Sequence, residues 1–195
     1  DLRLLDLSHI RSQISLVGSE SYFFQGSILE NLRRPMPSAP MERVRWATEK
    51  VGVHKEIELM PQSYETLLEE NASNLSTGMR QKLAIARALM RNPRILVLDD
   101  AFSGFDVESE IHLFEMLPDI GVGRTILMIS NRLWHLQLCN KIFVLNEGQI
   151  AQSGTIDEMK NVPGFFKDTY ERQRRVMSAK FAEDDAAVTE KVSSG

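Results

Sequence analysis

The chain has 195 residues, 43% of them hydrophobic, enough for one domain of ordinary size or for most of a larger one. Its 23 basic and 27 acidic residues leave a formal charge of -4 spread along the chain, so there is no electropositive footprint of the kind phosphate backbones demand, and no nucleic acid partner is expected. The one cysteine, Cys139, excludes an intramolecular disulfide or a multi-cysteine zinc cluster and is read as a small buried apolar residue.

In chain order, the N-terminal DLRLLDLSHI has neither a basic region nor a cleavage site, and no apolar run approaches the roughly 18 to 20 residues needed to cross a bilayer. It starts without a methionine, which predicts a piece cut from something longer. QISLV (13–17) reads as a buried strand ended by Gly18 and the loop GSES. SILENLRR predicts a helix with Ser27 as N-cap and Glu30 at capping-box spacing, stopped by PMPSAP (35–40). Residues 41–59 read as helical with a break at Gly52, and MPQSYETLLEENASN is polar and turn-rich.

Ser76 then caps a strong helix running to about Asn92, with Met79, Leu83, Ala86 and Met90 on one face and Arg80, Lys82, Arg87 and Arg91 elsewhere. ILVL (95–98) reads as a strand of a parallel sheet covered on both faces. VESEIHLFEMLPDI is a further helix, TILMIS another buried strand, NRLWHLQL a short helix, and KIFVLNEGQIAQSG a hairpin turning at Glu147 and Gly148. Alternating strands and helices give an α/β fold. After about residue 170 the chain is charged and aromatic-poor, and residues 171–195 read as a frayed helix passing into a disordered tail.

Two stretches carry chemistry. ILVLDD places Asp99 and Asp100 at the C-terminal edge of a parallel sheet, where ligands of open α/β folds bind and where nucleotide hydrolases hold Mg²⁺. Many buried strands also finish in an acidic turn of no further significance. LSTGM (75–79) places backbone N–H groups, Ser76 Oγ and a close approach at Gly78 at a helix N-terminus, a natural phosphate site. Read alone, Ser76 is an N-cap and Gly78 a tolerated first-turn glycine.

Together with their flanks, these residues resemble the nucleotide-binding domain of ABC transporters, exporter type. LSTGM (Leu75, Ser76, Thr77, Gly78, Met79) aligns with the family signature, and RQKLAIARALMRNPRILVLDD with the following helix and Walker B strand, Asp99 standing as the Mg²⁺-side aspartate. SGFD carries Asp106 at the D-loop position, and YETLLEENASN, with Glu70, resembles the loop that marks exporters. IRSQISLVGSESYFFQGSILENL is similar to the strand, glutamine loop and helix where transmembrane coupling helices dock; ILMISNRL corresponds to the switch strand and FVLNEGQIAQSG to the hairpin after it. The resemblance covers residues 1 to about 165. It implies an ABC-ATPase sheet of P-loop NTPase type, with a helical subdomain at about 27–92 inside a partial domain at 1–170. ATP and Mg²⁺ are the implied cofactors. The implied partners are the transmembrane domain of an exporter and a second nucleotide-binding domain, on the cytoplasmic face of a membrane.

The departures matter as much. The family's Walker A sequence, G-x-x-x-x-G-K-[ST], is missing, since no Gly-Lys pair occurs in the chain; the expectation is that it lies upstream of Asp1 and that the chain alone binds ATP weakly. Asp100 replaces the catalytic glutamate and is shorter by one methylene, about 1.5 Å, enough to misplace a base. Asn131 replaces the switch histidine and carries no proton that titrates near neutral pH. Ser19 replaces the glutamine of the glutamine loop; Gln13 lies six residues too early and Gln25 beyond the loop. Thr77 and Met79 replace a glycine and a glutamine of the signature. His135 is read as a surface or packing residue.

Two function classes follow. One is a transport ATPase subunit dimerising head to tail, so that Ser76 faces a partner's γ-phosphate. The other is a non-hydrolytic regulatory half paired with a competent one, favoured for this chain's own site by the changes at Ser19, Asp100 and Asn131. DNA-repair and chromosome ATPases share the signature, but the chain has neither a long heptad arm nor a zinc module.

Overall fold

The computed structural model describes residues 2–105, 107–173 and 175. The chain divides after Ile129 into two compact units. The expected disordered tail falls mainly on residues 176–195, outside the described residues.

The first unit opens with helix α1 (Leu7–Gln13), capped by Asp6, and runs directly into strand β1 (Ile14–Val17). A short strand β2 (Gly26–Ser27) precedes helix α2 (Ile28–Arg33), and the capping box read from the sequence is present: Ser27 Oγ accepts from Glu30 N–H while Glu30 accepts from Ser27 N–H. Helices α3 (Met41–Lys50) and α4 (His54–Glu58) flank Gly52, whose φ of +70° makes the break that a residue with a Cβ would resist. Strand β3 (Leu67–Leu68) pairs antiparallel with β2. Then follow α5 (Thr77–Leu89), strand β4 (Ile95–Asp99), α6 (Val107–Gly121) and strand β5 (Thr125–Ile129).

Strands β1, β4 and β5 form a parallel sheet in the order β1-β4-β5, with Val17 opposite Leu98 and Leu98 opposite Met128. Its two faces differ. Leu96 and Leu98 are wholly buried on one side with Val17, within a core shared by Val44 and Ala47 of α3, Leu83 and Leu89 of α5 and Ile120 of α6. The alternate residues are not covered: Leu16 is 66% exposed, Leu127 49% and Ile129 50%. Ile95 and Val97 are half-buried, so the expected cover of 95–98 on both faces is partial, and the expectation that 125–129 is buried is corrected. β5 is an edge strand whose outward residues alternate with half-buried ones, the period-2 pattern of a sheet packed on one side.

Helix α5 ends at Leu89, three residues short of Asn92, which has φ +51° and leads into Pro93. Lys82 is 7% exposed, its stem packed in the core and its ammonium 2.6 Å from Glu56 Oε1.

The second unit holds a run of 3₁₀ turns (Leu133–Leu138) and an antiparallel hairpin of β6 (Ile142–Asn146) and β7 (Gln149–Gly154), followed by α7 (Ile156–Met159). Glu147 (φ +49°) and Gly148 (φ +76°) make its two-residue turn, the left-handed pair that matches strand twist. Leu136, Ile142, Met159 and Phe166 form its small core. Cys139 packs against that core half-buried rather than buried, and burial pushes its thiol pKa up.

Candidate functional site

Three segments meet in the first unit. β1 and β4 end side by side, so residues 18 and 19 leave the sheet at the edge where Asp99 stands exposed. Asp100 takes a left-handed φ of +49°, its N–H donates to Ile129 O at 3.0 Å, and the chain turns there into residues 101–104. Left-handed backbone is tolerated by aspartate better than by most residues, so the turn and the acidic pair are compatible.

The N-terminus of α5 supplies the second segment. Ser76 is extended and exposed, and its Oγ accepts from Met79 N–H at 3.1 Å, satisfying one of the donors a helix start leaves open. Leu75 and Met79 are buried and anchor the turn, whereas Ser76 and Thr77 face outward. Arg80 folds back along it, donating to Leu75 O at 2.9 Å, Ala72 O at 3.3 Å and Thr77 Oγ1 at 3.1 Å. With no acid in the first turn and a guanidinium behind it, this helix end is electropositive, which suits an anion.

Gln81 and Gly104 join the segments. Gln81, 2% exposed, donates from Nε2 to the carbonyls of Gly18 (3.0 Å) and Ser19 (2.8 Å), pinning the glutamine-loop position to the signature helix. A Cβ on Gly104 would overlap Thr77 Cγ2, so the loop carrying the D-loop motif lies against the signature, and a Cβ on Gly78 would touch Phe105 at 3.7 Å. The only hint of Gln81 in the sequence is its place two residues after LSTGM, whereas Gly104 lies within the SGFD motif. Asp106 itself lies outside the described residues. Glu70 is exposed in a 3₁₀ turn, beside Asn71, whose Oδ1 accepts from Phe23 N–H at 3.2 Å.

Asn131 belongs to the second unit and is exposed; its carbonyl accepts from Gln173 Nε2 at 2.8 Å. His135 is 1% exposed and 2.7 Å from Ser130 Oγ through Nδ1, the packing role of the two open readings. Gln25 is exposed and Gln13 donates to Ser12 Oγ at 3.1 Å.

The donor set fits a hard cation held lightly. Asp99 and Asp100 offer oxygens at an open edge, and among the described residues no three His, Cys, Asp or Glu side chains group as a metal cage. Mg²⁺, which keeps several waters and takes one or two carboxylates plus phosphate oxygens, is compatible with that; a structural zinc is not.

The family model described as "ABC transporter" matches residues 1–103. The chain belongs to the ABC transporter family. This ABC chain is 35% identical over 173 residues to the ABC transporter ATP-binding protein YfiC of Bacillus subtilis, covering 89% of itself and 29% of that protein. It is 38% identical over 174 residues to the mitochondrial potassium channel ATP-binding subunit of Rattus norvegicus (89% and 24%) and 36% identical over 169 residues to multidrug resistance protein 1 of Entamoeba histolytica (85% and 13%). A bacterial Atm1-family ABC exporter, solved with ATP bound, superposes with a TM-score of 0.82 at 28% identity, over 86% of this chain and 30% of that one. The chain thus spans less than a third of these relatives' length, and its α/β architecture is that of an exporter's ATP-binding domain.

Proposed function

We propose that this ABC domain couples ATP binding to transport by a membrane exporter, and that its own site turns ATP over slowly or not at all. The observation that carries the reading is the junction of signature, glutamine-loop position and D-loop segment around α5, held by Gln81 and the Thr77–Gly104 contact. The domain, residues 1–170 with a helical subdomain at about 27–92, works at the cytoplasmic face of a membrane, beside a membrane-spanning partner and a second nucleotide-binding domain. Ser76, Thr77 and Gly78 present hydroxyl and N–H groups to the terminal phosphate of a nucleotide held by that second domain, with Leu75 and Met79 as buried anchors and Asp106 at the dimer contact. Asp99 holds Mg²⁺, which when bound neutralises phosphate charge and orients its oxygens.

Within its own site, Asp100 reaches about one bond less far than glutamate, Asn131 cannot cycle a proton near pH 7, and Ser19 cannot span from metal to water. These three losses favour a regulatory half paired with a competent one.

The test is a hybrid in which the upstream ATP-binding segment of the Bacillus relative precedes Leu2. Mg-ATP is expected to bind, with phosphate release far below the several-per-second rates ordinary for enzymes. Since a positioned base is worth about 10² to 10⁴ in rate and the three groups act as a unit, Asp100→Glu alone should recover little and Ser19→Gln/Asp100→Glu/Asn131→His far more. Ordinary turnover by the unsubstituted hybrid would show that Asp100 serves as the base after all.

A further inference from the structure

The segment 130–133, which carries Asn131 at the switch position, is bracketed by two side chains. Its middle residue, Arg132, is extended (φ -91°, ψ 106°). Ser130 Oγ accepts from Arg132 N–H at 3.0 Å and lies 2.7 Å from Nδ1 of the buried His135. A residue from much further along the chain takes the backbone groups on either side of Arg132. Gln173 Oε1 accepts from Leu133 N–H at 2.9 Å, and Gln173 Nε2 donates to Asn131 O at 2.8 Å. Bonds to the preceding carbonyl and the following N–H are those that a residue of a parallel strand would make, so the Gln173 amide stands in for a strand. Only one orientation of that amide serves both, because N–H groups donate and carbonyls accept.

Gln173 is placed by its helix. Residues 165–173 are helical, and Phe166, Tyr170 and Gln173 follow at the i, i+4, i+7 spacing of one face. Phe166 is buried in the small core with Leu136, Ile142 and Met159, and Tyr170 stacks on it with ring centroids 6.0 Å apart. The start of the helix is tied to β7, where Gln152 Oε1 accepts from Phe166 N–H at 3.1 Å. A face anchored at its first turn thus carries Gln173 to the 130–133 segment about two turns later. Asn131 is exposed, so its backbone is fixed while its amide stays open to a ligand. Without Gln173, water would take up the freed Leu133 N–H and Asn131 carbonyl at this surface, which costs little stability but releases the orientation of the segment.

We propose that Gln173 is a positioning residue of the nucleotide site: it fixes the backbone on both sides of Arg132 and so sets where the Asn131 amide meets the terminal phosphate. The switch position is thereby tied to the helix at 165–173. The inference rests on the reading of Asn131 as the residue that hydrogen-bonds that phosphate, and its two tests separate the clamp from the reading.

The first test is amide hydrogen exchange of the 195-residue chain, followed by NMR. Gln173→Met keeps an unbranched side chain of similar length and removes both bonds. Exchange at Leu133 is expected to speed up by about threefold or more, with the β6 and β7 amides unchanged. Arg172→Ala, at an exposed neighbouring position of the same helix, should alter neither. Leu133 exchange untouched by Gln173→Met would overturn the inference, as would an equal acceleration in β6 and β7. The second test is calorimetric binding of Mg-ATP and Mg-ADP by the hybrid carrying the upstream segment of the Bacillus relative. Asn131→Ala should weaken ATP by about tenfold and leave ADP within about twofold, because ADP lacks the terminal phosphate. Gln173→Met should weaken ATP by about threefold or more with the same sparing of ADP, and in the Asn131→Ala background it should add less than about 1.5-fold. A purely structural role would weaken both nucleotides alike or add fully to Asn131→Ala, and either result overturns the inference, as does ATP binding unaffected by Gln173→Met. If Asn131→Ala itself spared ATP, the reading of Asn131 would fall and the inference with it, even with the clamp seen in hydrogen exchange.

Discussion

At the scale of single residues, the clearest departure from the family signature, Thr77 in place of a glycine, has a structural counterpart. The space a Cβ would need on Gly104 is filled by Thr77 Cγ2, so the larger signature residue and the bare backbone opposite fit as a pair. Thr77 cannot swing freely, because its Oγ1 also accepts from Arg80. Gly104→Ala should therefore cost about 1 to 3 kcal/mol as an overpacked contact. Thr77→Ser keeps the hydroxyl and removes the methyl, so in that background the same change should cost little. A double-mutant cycle by urea unfolding reads the coupling; additive effects would mean that the two residues do not constrain each other.

Between elements, much was legible where the signal was local. The Ser27 capping box, the break at Gly52, the Ser76 cap and the Glu147–Gly148 turn each follow from residue types whose backbone preferences are decided within a few positions. Gln81 was not legible, since its role depends on a loop more than sixty residues away in sequence. The ion pair of Lys82 was not legible for the same reason, since its partner Glu56 lies 26 residues away in sequence. Of the site, the motif positions could be read, but what joins them could not. Gln81→Leu should loosen residues 18–21, which lose two hydrogen bonds to α5. The global cost should stay near 1 kcal/mol, because the exposed loop carbonyls can take water and Gln81 Oε1, buried without a partner, is removed as well. Hydrogen exchange should accelerate at 18–21 and stay unchanged in β4; protection unaltered in the loop would refute this role.

For the molecule as a whole, the two faces of the β1-β4-β5 sheet set opposite responses to substitution. Side chains alternate across it, so Leu16, Val97 and Leu127 form one row and Ile129 stands beyond them on the open side, while Leu96 and Leu98 are sealed beneath. Burying a leucine fully is worth about 1.5 to 3 kcal/mol, and removing one leaves a cavity as well, so Leu96→Ala should cost about 2 to 5 kcal/mol. Leu127 and Ile129 already meet solvent with about half of their surface, on an edge strand whose free backbone groups invite pairing with another chain. A contiguous apolar row beside such an edge is an association hazard. Leu127→Thr/Ile129→Thr places β-branched, strand-favouring residues at the edge, and it should slow concentration-dependent light scattering markedly while shifting unfolding stability by no more than about 1 kcal/mol. The decisive comparison is with Leu96→Ala in the same assay, which should scatter more and unfold earlier. If the threonine pair destabilised the chain as much as Leu96→Ala does, both faces of the sheet would have to be packed in solution, and the exposure of Leu127 and Ile129 would not describe the molecule.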